Sequence, residues 1–237
     1  MKPSLPANLK AIIFDLDDTL YLERDYVASG MRAVAAWIEE RDGFPSDETF
    51  IQLWDLFVAG VRGDTFNRWL KNRGIEADGN LAEMVEAYRH HDPQIVLLPD
   101  VKELLNRLRQ HYRLGIITDG PLGSQQQKVV ALGLESLFEE IVFTAELGEE
   151  YRKPSKVPFQ RVLRTFGVGA ADSVYVGDNP SKDFRGARLL GMWTARIRHV
   201  EGLYSHLEPE SLLDAPHVEF PTLIHLEDAL GGVTSLD

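Results

Sequence analysis

The 237-residue chain contains no cysteine, which excludes disulfide cross-links, thiolate nucleophiles and cysteine-bound metals. It has no apolar run approaching the ~18 residues of a membrane-spanning helix. The opening residues, MKPSLPANLK, lack the apolar stretch of a secretory signal. The expectation is a soluble, cytoplasmic protein with no membrane partner. Excess positive charge is missing too, since 25 Lys and Arg stand against 37 Asp and Glu for a net charge of −12. Nucleic acid is therefore not expected as a partner, because nonspecific binding depends on basic patches. No Lys or Arg follows Arg198, although residues 199–237 hold 8 Asp and Glu. Residues 21–98 carry a balance of −6, which leaves +2 for residues 1–20 and 99–198. The bases are concentrated there, as an anionic ligand would require. Repeats, low-complexity stretches and long linkers are absent from the sequence.

What is present begins with AIIFDLDDTL at residues 11–20. A short apolar run, Ala11 to Phe14, reads as a buried strand. It leads directly into Asp15, Asp17 and Asp18, followed by Thr19. Carboxylates clustered at the edge of a core repel one another and resist desolvation, so something must neutralise them. A divalent cation bound through oxygen ligands is the simplest candidate. The competing reading is an acidic turn with an Asp helix cap.

Further along, Leu114–Thr118, Ile141–Thr144, Val174–Gly177 and Trp193–Ile197 are short and strand-like. Between them Val101, Leu104, Leu105 and Leu108 recur at helical spacing, with Asp100 as the expected N-cap. Phe159, Val162, Leu163 and Phe166 repeat that spacing, with Pro158 near the start and Gly167 at the end. This alternation predicts an α/β fold, a parallel sheet with helices on both faces. Residues 21–95 differ. Stripes at Val27–Ile38, Phe50–Val58, Phe66–Leu70 and Leu81–Tyr88 predict a small helical lobe inserted after the first strand. The division expected is a core of residues 1–20 and 96–237 and a helical lobe of residues 21–95. In the acidic tail, Val218, Phe220, Leu223 and Ile224 are expected to pack on the sheet edge.

Ligands of a parallel sheet bind beyond the carboxyl ends of its strands. The residues there are Asp15, Asp17 and Thr19; Thr118, Asp119 and Gly120; and Gly177, Asp178, Asn179 and Asp183. Arg152-Lys153-Pro154 follows the third strand and adds a cation.

In this order the residues resemble the haloacid dehalogenase-like hydrolase superfamily. Its DxDxT motif is matched by Asp15-Leu16-Asp17-Asp18-Thr19, its strand-end Ser or Thr by Thr118, its Lys ahead of a helix by Lys153, and its GDxxxxD by Gly177-Asp178 and Asp183. The resemblance spans residues 10 to 200 and implies a Rossmann-like core. It makes Asp15 the nucleophile that becomes an aspartyl-phosphate and Asp17 the general acid and base. Mg2+ is implied at Asp15, the Asp17 backbone carbonyl and Asp178. Asp183 would orient that shell or Lys153. Thr118 and Lys153, with backbone N–H groups near Asp119 and Gly120, would bind phosphoryl oxygens. Thr19, Gly177 and Asn179 are supporting positions.

The dehalogenases of the superfamily lack an acid at the position of Asp17, so the resemblance implies the phosphatase branch. Asp119 stands where many relatives carry Asn, and its charge would weaken anion binding unless it faces away or is tied to backbone. Such families insert a cap after the first motif or between the second and third. Residues 119–152 are too few, so residues 21–95 would form the cap, with Arg62, Asp64, Arg68 and Trp69 as candidate specificity residues. Helix-surface or core roles compete with that reading for all four. His90-His91 reads as a solvated helix end, Gln125 and Lys128 as surface or capping residues, and Asp18 as a turn residue. The expected activity is magnesium-dependent hydrolysis of a small phosphorylated metabolite, with nucleotide monophosphates and sugar phosphates as the classes in view. A phosphomutase of the same superfamily and a non-catalytic binding protein on this fold are the alternatives. The oligomeric state is not legible.

Overall fold

The opening apolar run forms β1 (Ala11–Phe14), and all four of its side chains are buried. Alternate residues of a strand point to opposite faces, so burial of both Ile12 and Ile13 means that both faces of β1 are covered. The computed structural model describes residues 5–77 and 79–230. β1 pairs in parallel with β2 (Arg113–Thr118) on one side and β4 (Ser173–Gly177) on the other, placing Phe14 opposite Ile116 and Val176. β3 (Glu140–Phe143) flanks β2, and β5 (Trp193–Ile197) flanks β4. A sixth strand, β6 (Val218–Phe220), completes the parallel sheet in the order β3-β2-β1-β4-β5-β6.

The strand ends expected from the sequence lie within one residue of those observed; at β3 the shift places Thr144 in a 3-10 turn. β6 was expected only as an apolar packing segment; at three residues it is too short to show a period. Phe220 and Leu223 are buried as expected, whereas Ile224 is 42% exposed and does not join the core.

Helices α5 (Val101–Leu108), α6 (Leu122–Ala131), α7 (Val157–Phe166), α8 (Phe184–Leu190) and α9 (Leu223–Ala229) accompany the sheet. Gly167 ends α7 in the left-handed conformation, with Pro158 in the first turn, as the sequence indicates. Asp100 occupies the N-cap position of α5 as expected, its carbonyl accepting Leu104 N–H at 2.9 Å, but it adopts φ 62° and its side chain makes no cap bond. On one face of the sheet, Ile13, Ile117, Val142 and Tyr175 pack against Phe159, Val162 and Phe166 of α7 and Phe184 and Ala187 of α8. The Phe159 and Tyr175 rings meet edge to face, 4.9 Å between centroids.

The chain divides into two compact units, Met1–Glu23 with Val96–Asp237, and Arg24–Ile95. The second contains most of α1 (Glu23–Asp42), then α2 (Ser46–Val58), α3 (Thr65–Asn72) and α4 (Asn80–Arg89), with no strand among its described residues. Met31, Val34, Ile38, Leu53, Trp69, Leu70 and Met84 form its interior. Trp69 is therefore a core residue whose Nε1–H donates to Gln52 at 2.9 Å. Arg62 lies over the Phe57 ring, and Asp64 pairs with Arg68 at 3.0 Å. His90 is exposed, but His91 is buried beside Tyr26 and Tyr88, which corrects the reading of both as a solvated helix end. No described helix is long and apolar enough to cross a membrane.

Phe159 fills the fully buried junction of α7 and the sheet. Phe159→Ala is expected to cost about 3–5 kcal/mol of stability, read from the midpoint of urea unfolding.

Candidate active site

Two adjacent strands, β1 and β4, send their connections to opposite sides of the sheet, to β2 and β5 respectively. Such a divergence opens a crevice beyond the carboxyl ends of those two strands. Asp15 and Asp178 are the first residues past them. A backbone hydrogen bond from Asp15 N–H to Val176 carbonyl, 2.8 Å, continues the ladder one residue further and fixes Asp15 in the crevice.

Lys153 reaches the same point from the loop after β3. Its fully buried Nζ lies 2.8 Å from Asp15 Oδ1, 2.8 Å from Asp183 Oδ1 and 2.9 Å from the Tyr175 hydroxyl. Asp183 Oδ2 accepts the backbone N–H groups of Asp178 and Asn179 at 3.2 and 2.8 Å. Asp183 thus ties the lysine to the loop that carries Asp178. Gly177 makes this fold-back feasible, because a Cβ there would sit 2.6 Å from Asp183 Oδ2. Asn179 holds the turn, its Oδ1 accepting from Ser181 N–H and Oγ–H at 2.9 and 2.7 Å. Thr118 ends β2, buried. Asp119 Oδ1 accepts Thr144 Oγ–H at 2.7 Å and Lys153 N–H at 3.2 Å, so its carboxylate is tied to the scaffold. Thr19 is fully buried, and its hydroxyl makes no hydrogen bond among the described residues.

The electrostatics of the crevice are uneven. Burial pushes Asp15 up to about 6, against the pull of Lys153 and Lys182. Burial also raises Asp178 well above the usual carboxylate range, reinforced by the charges of Asp183 and Asp15. Burial would discharge Lys153, but Asp15, Asp183 and Asp119 outweigh it and hold the ammonium protonated. Asp183 moves the other way: burial opposes ionisation, and Lys153 and Lys182 overcome it. Asp178 Oδ2 is buried and accepts no hydrogen bond among the described residues, and the buried Asp15 oxygens meet only ammonium groups there, Lys153 Nζ at 2.8 Å from Oδ1 and Lys182 Nζ at 3.7 Å from Oδ2.

These open lone pairs suit a hard divalent cation. Oxygens of Asp15, Asp178 and Asp183 lie within 4.8 Å of one another. Within that trio Lys153 is shared by Asp15 and Asp183, but only Asp183 also accepts two backbone N–H groups, which leaves Asp15 and Asp178 as the better donors.

Several neighbours escape a reading of the sequence. Gln125 and Lys128 are not surface or capping residues; both are buried in the face of α6 that looks into the site. Lys128 Nζ lies 2.7 Å from Asp17 Oδ1, and Gln125 Nε2–H donates to Asp17 Oδ2 at 2.9 Å and to Thr118 Oγ1. Tyr21 donates its hydroxyl proton to Asp17 Oδ1. Burial opposes ionisation of Asp17, but Lys128, Tyr21 and Gln125 outweigh it and hold the carboxyl below its ordinary range. The i, i+3 spacing of Gln125 and Lys128 is the signal that places both on one helix face. Asp18 sits in a turn with φ 52°, yet it is more than a turn residue. It is buried and accepts the N–H groups of Glu23 and Leu203 at 2.9 and 2.7 Å. Buried Arg196 donates to the Asp178 carbonyl at 2.9 Å, bracing that loop from β5.

A six-stranded parallel sheet of Rossmann-like form, with a lysine-paired aspartate at its diverging strand ends, defines an α/β protein with an acidic strand-end site. The chain belongs to the haloacid dehalogenase-like hydrolases, whose family model matches residues 12–197. It is 35% identical over 222 residues to the glyceraldehyde 3-phosphate phosphatase of Methanopyrus kandleri, covering 89% of this chain and 92% of that one. Among solved structures it is similar to a phosphatase of the same superfamily from Thermococcus onnurineus, with a TM-score of 0.61 and 26% identity over 94% of this chain and 99% of that one. It is also similar to a 2-haloacid dehalogenase from Pseudomonas syringae, with a TM-score of 0.65 and 27% identity over 94% and 98% of the two chains.

Removing Lys153 would leave Asp15 and Asp183 buried without their shared cation. Lys153→Met is expected to lower stability by about 3–5 kcal/mol in urea unfolding. A loss below about 1 kcal/mol would show that the two carboxylates are neutralised otherwise.

Proposed function

We propose that the protein is a magnesium-dependent phosphatase that hydrolyses a small phosphorylated metabolite through an aspartyl-phosphate on Asp15. The observation that carries this reading is the geometry at the strand ends: Asp15 faces the Lys153 ammonium at 2.8 Å, Asp178 ends the adjacent strand, and a second carboxyl two residues on, Asp17, is joined through Gln125 to Thr118. Similarity to solved structures does not choose the chemistry, since a phosphatase and a dehalogenase resemble the chain about equally. Asp17 favours phosphate ester hydrolysis, because haloalkane displacement has no leaving oxygen to protonate. The relative named for glyceraldehyde 3-phosphate supports a small sugar phosphate as substrate.

In this reading Asp17 takes up the proton of a monoprotonated substrate phosphate, an Asp15 oxygen attacks phosphorus, and Asp17 passes that proton to the leaving oxygen as its bond to phosphorus breaks. Asp17 then takes a proton from water as its oxygen attacks the aspartyl-phosphate, releasing inorganic phosphate and restoring Asp15. Lys153, Thr118 and the backbone N–H groups at Asp119 and Gly120 bind the phosphoryl oxygens. Magnesium would be held by Asp15, the Asp17 carbonyl and Asp178, where it would offset negative charge on the phosphoryl group and its nucleophile. The all-helical unit of residues 24–95 serves as the cap that excludes water and selects the leaving group.

The test is release of inorganic phosphate from a panel of phosphate esters by the purified protein. Release is expected with magnesium, is abolished by chelation and restored by adding magnesium back. Asp15→Asn is expected to be inactive, and unchanged release in that variant would remove Asp15 from its role. Isomerisation of a sugar phosphate with little phosphate release would replace the hydrolase by a mutase.

A further inference from the structure

We propose that Lys128 and Gln125 are positioning residues for the proton-transfer step, holding the Asp17 carboxyl at a set orientation to the phosphoryl-binding hydroxyl of Thr118. The inference rests on the reading of Asp17 as the acid that serves the leaving oxygen. Asp17 has both oxygens engaged: Oδ1 meets Lys128 Nζ at 2.7 Å and the Tyr21 hydroxyl, and Oδ2 accepts Gln125 Nε2–H at 2.9 Å. The same Gln125 nitrogen reaches Thr118 Oγ1, so one carboxamide spans the acid and the hydroxyl on the neighbouring strand.

Burial makes this an expensive arrangement. The side chain of Lys128 is 5% exposed and that of Asp17 13%, and Gln125 is 2% exposed overall. A buried ammonium contributes little net stability even when paired, because desolvation offsets the attraction. Its value lies in geometry: a charged donor and a planar amide restrict the carboxyl to one rotamer and one plane. The backbone accommodates the bridge as well. A Cβ at Gly120 would stand 3.0 Å from Gln125 Cδ, and Gly120 has φ +145°. The glycine opposite the phosphoryl site therefore also leaves room for the amide that aligns the acid.

The consequence is specific to the leaving group. An ester of p-nitrophenol departs readily without a proton, whereas a simple alkyl phosphate needs one. Misplacing a catalytic group by about 1 Å costs up to ~100-fold, and general acid catalysis contributes ~10²–10⁴-fold. Lys128→Met and Gln125→Leu are expected to lower kcat/KM for an alkyl phosphate by ~10–100-fold and for p-nitrophenyl phosphate by less than ~3-fold. Lys128→Arg, which keeps the charge, is expected to recover part of the alkyl phosphate rate. In an Asp17→Asn background the same substitutions should no longer change the ratio of the two substrates, since the group they position is gone.

If Lys128→Met does not fold, Gln125→Leu and Lys128→Arg carry the comparison, each checked by circular dichroism and thermal melting. An equal fall on both substrates, or the same change of ratio in the Asp17→Asn background, overturns the positioning role while the phosphatase reading stands. Absence of phosphate release from either ester by the unaltered protein would instead remove the reading beneath it.

Discussion

The buried ammonium of Lys153 is the constraint on which the site depends. It is shared by Asp15 at the end of β1 and Asp183 beyond β4, with the Tyr175 hydroxyl as a third partner. Three segments far apart in the chain must therefore converge on one point, and each is held there by its own contacts. Phe159 supports the Tyr175 ring, Asp119 receives the Lys153 backbone N–H, and Asp183 fixes the turn bearing Asp178. Because a buried ion pair returns little net free energy, the rigidity must come from the sheet and α7 beneath it. The core is thus the device that keeps a charged cluster assembled where water would otherwise disperse it.

Within that cluster charge is distributed asymmetrically. Burial pushes Asp15 and Asp178 upward, Asp15 against the pull of Lys153 and Lys182, and Asp178 keeps an oxygen that accepts no hydrogen bond among the described residues. Asp17, two residues from Asp15, is saturated with donors and is held ionised. The two ends of the site therefore present different chemistry over a short stretch of backbone.

Much of this organisation is legible in the sequence because it is local. The run AIIF followed by Asp15 announces a buried strand ending in a carboxylate, and the strand ends at Thr118 and Gly177 are equally plain. The helical stripes of residues 21–95 predict a helical insert, and residues 24–95 form a separate compact unit with no strand among its described residues. The reading fails where contacts are distant. Lys128 looks like a solvated helix residue until α6 is seen to lean on the strand end that bears Asp17. Asp18 looks like a turn residue until a loop 185 residues away brings Leu203 N–H to its carboxylate. β6 is invisible because three residues carry no period, and it forms only because β5 supplies a parallel edge.

The sequence by itself determined the alternation of strands and helices, the residues at the strand ends, and hence the family and its AIIFDLDDTL opening. Periodicity and turn chemistry act over a few residues, and that information survives in a linear string. The tertiary structure alone decided which charges meet. It paired Lys153 with both Asp15 and Asp183, tied Asp119 to Thr144, and set Lys128, Gln125 and Tyr21 around Asp17. Electrostatic partnership depends on distance and burial, and both are properties of the folded chain.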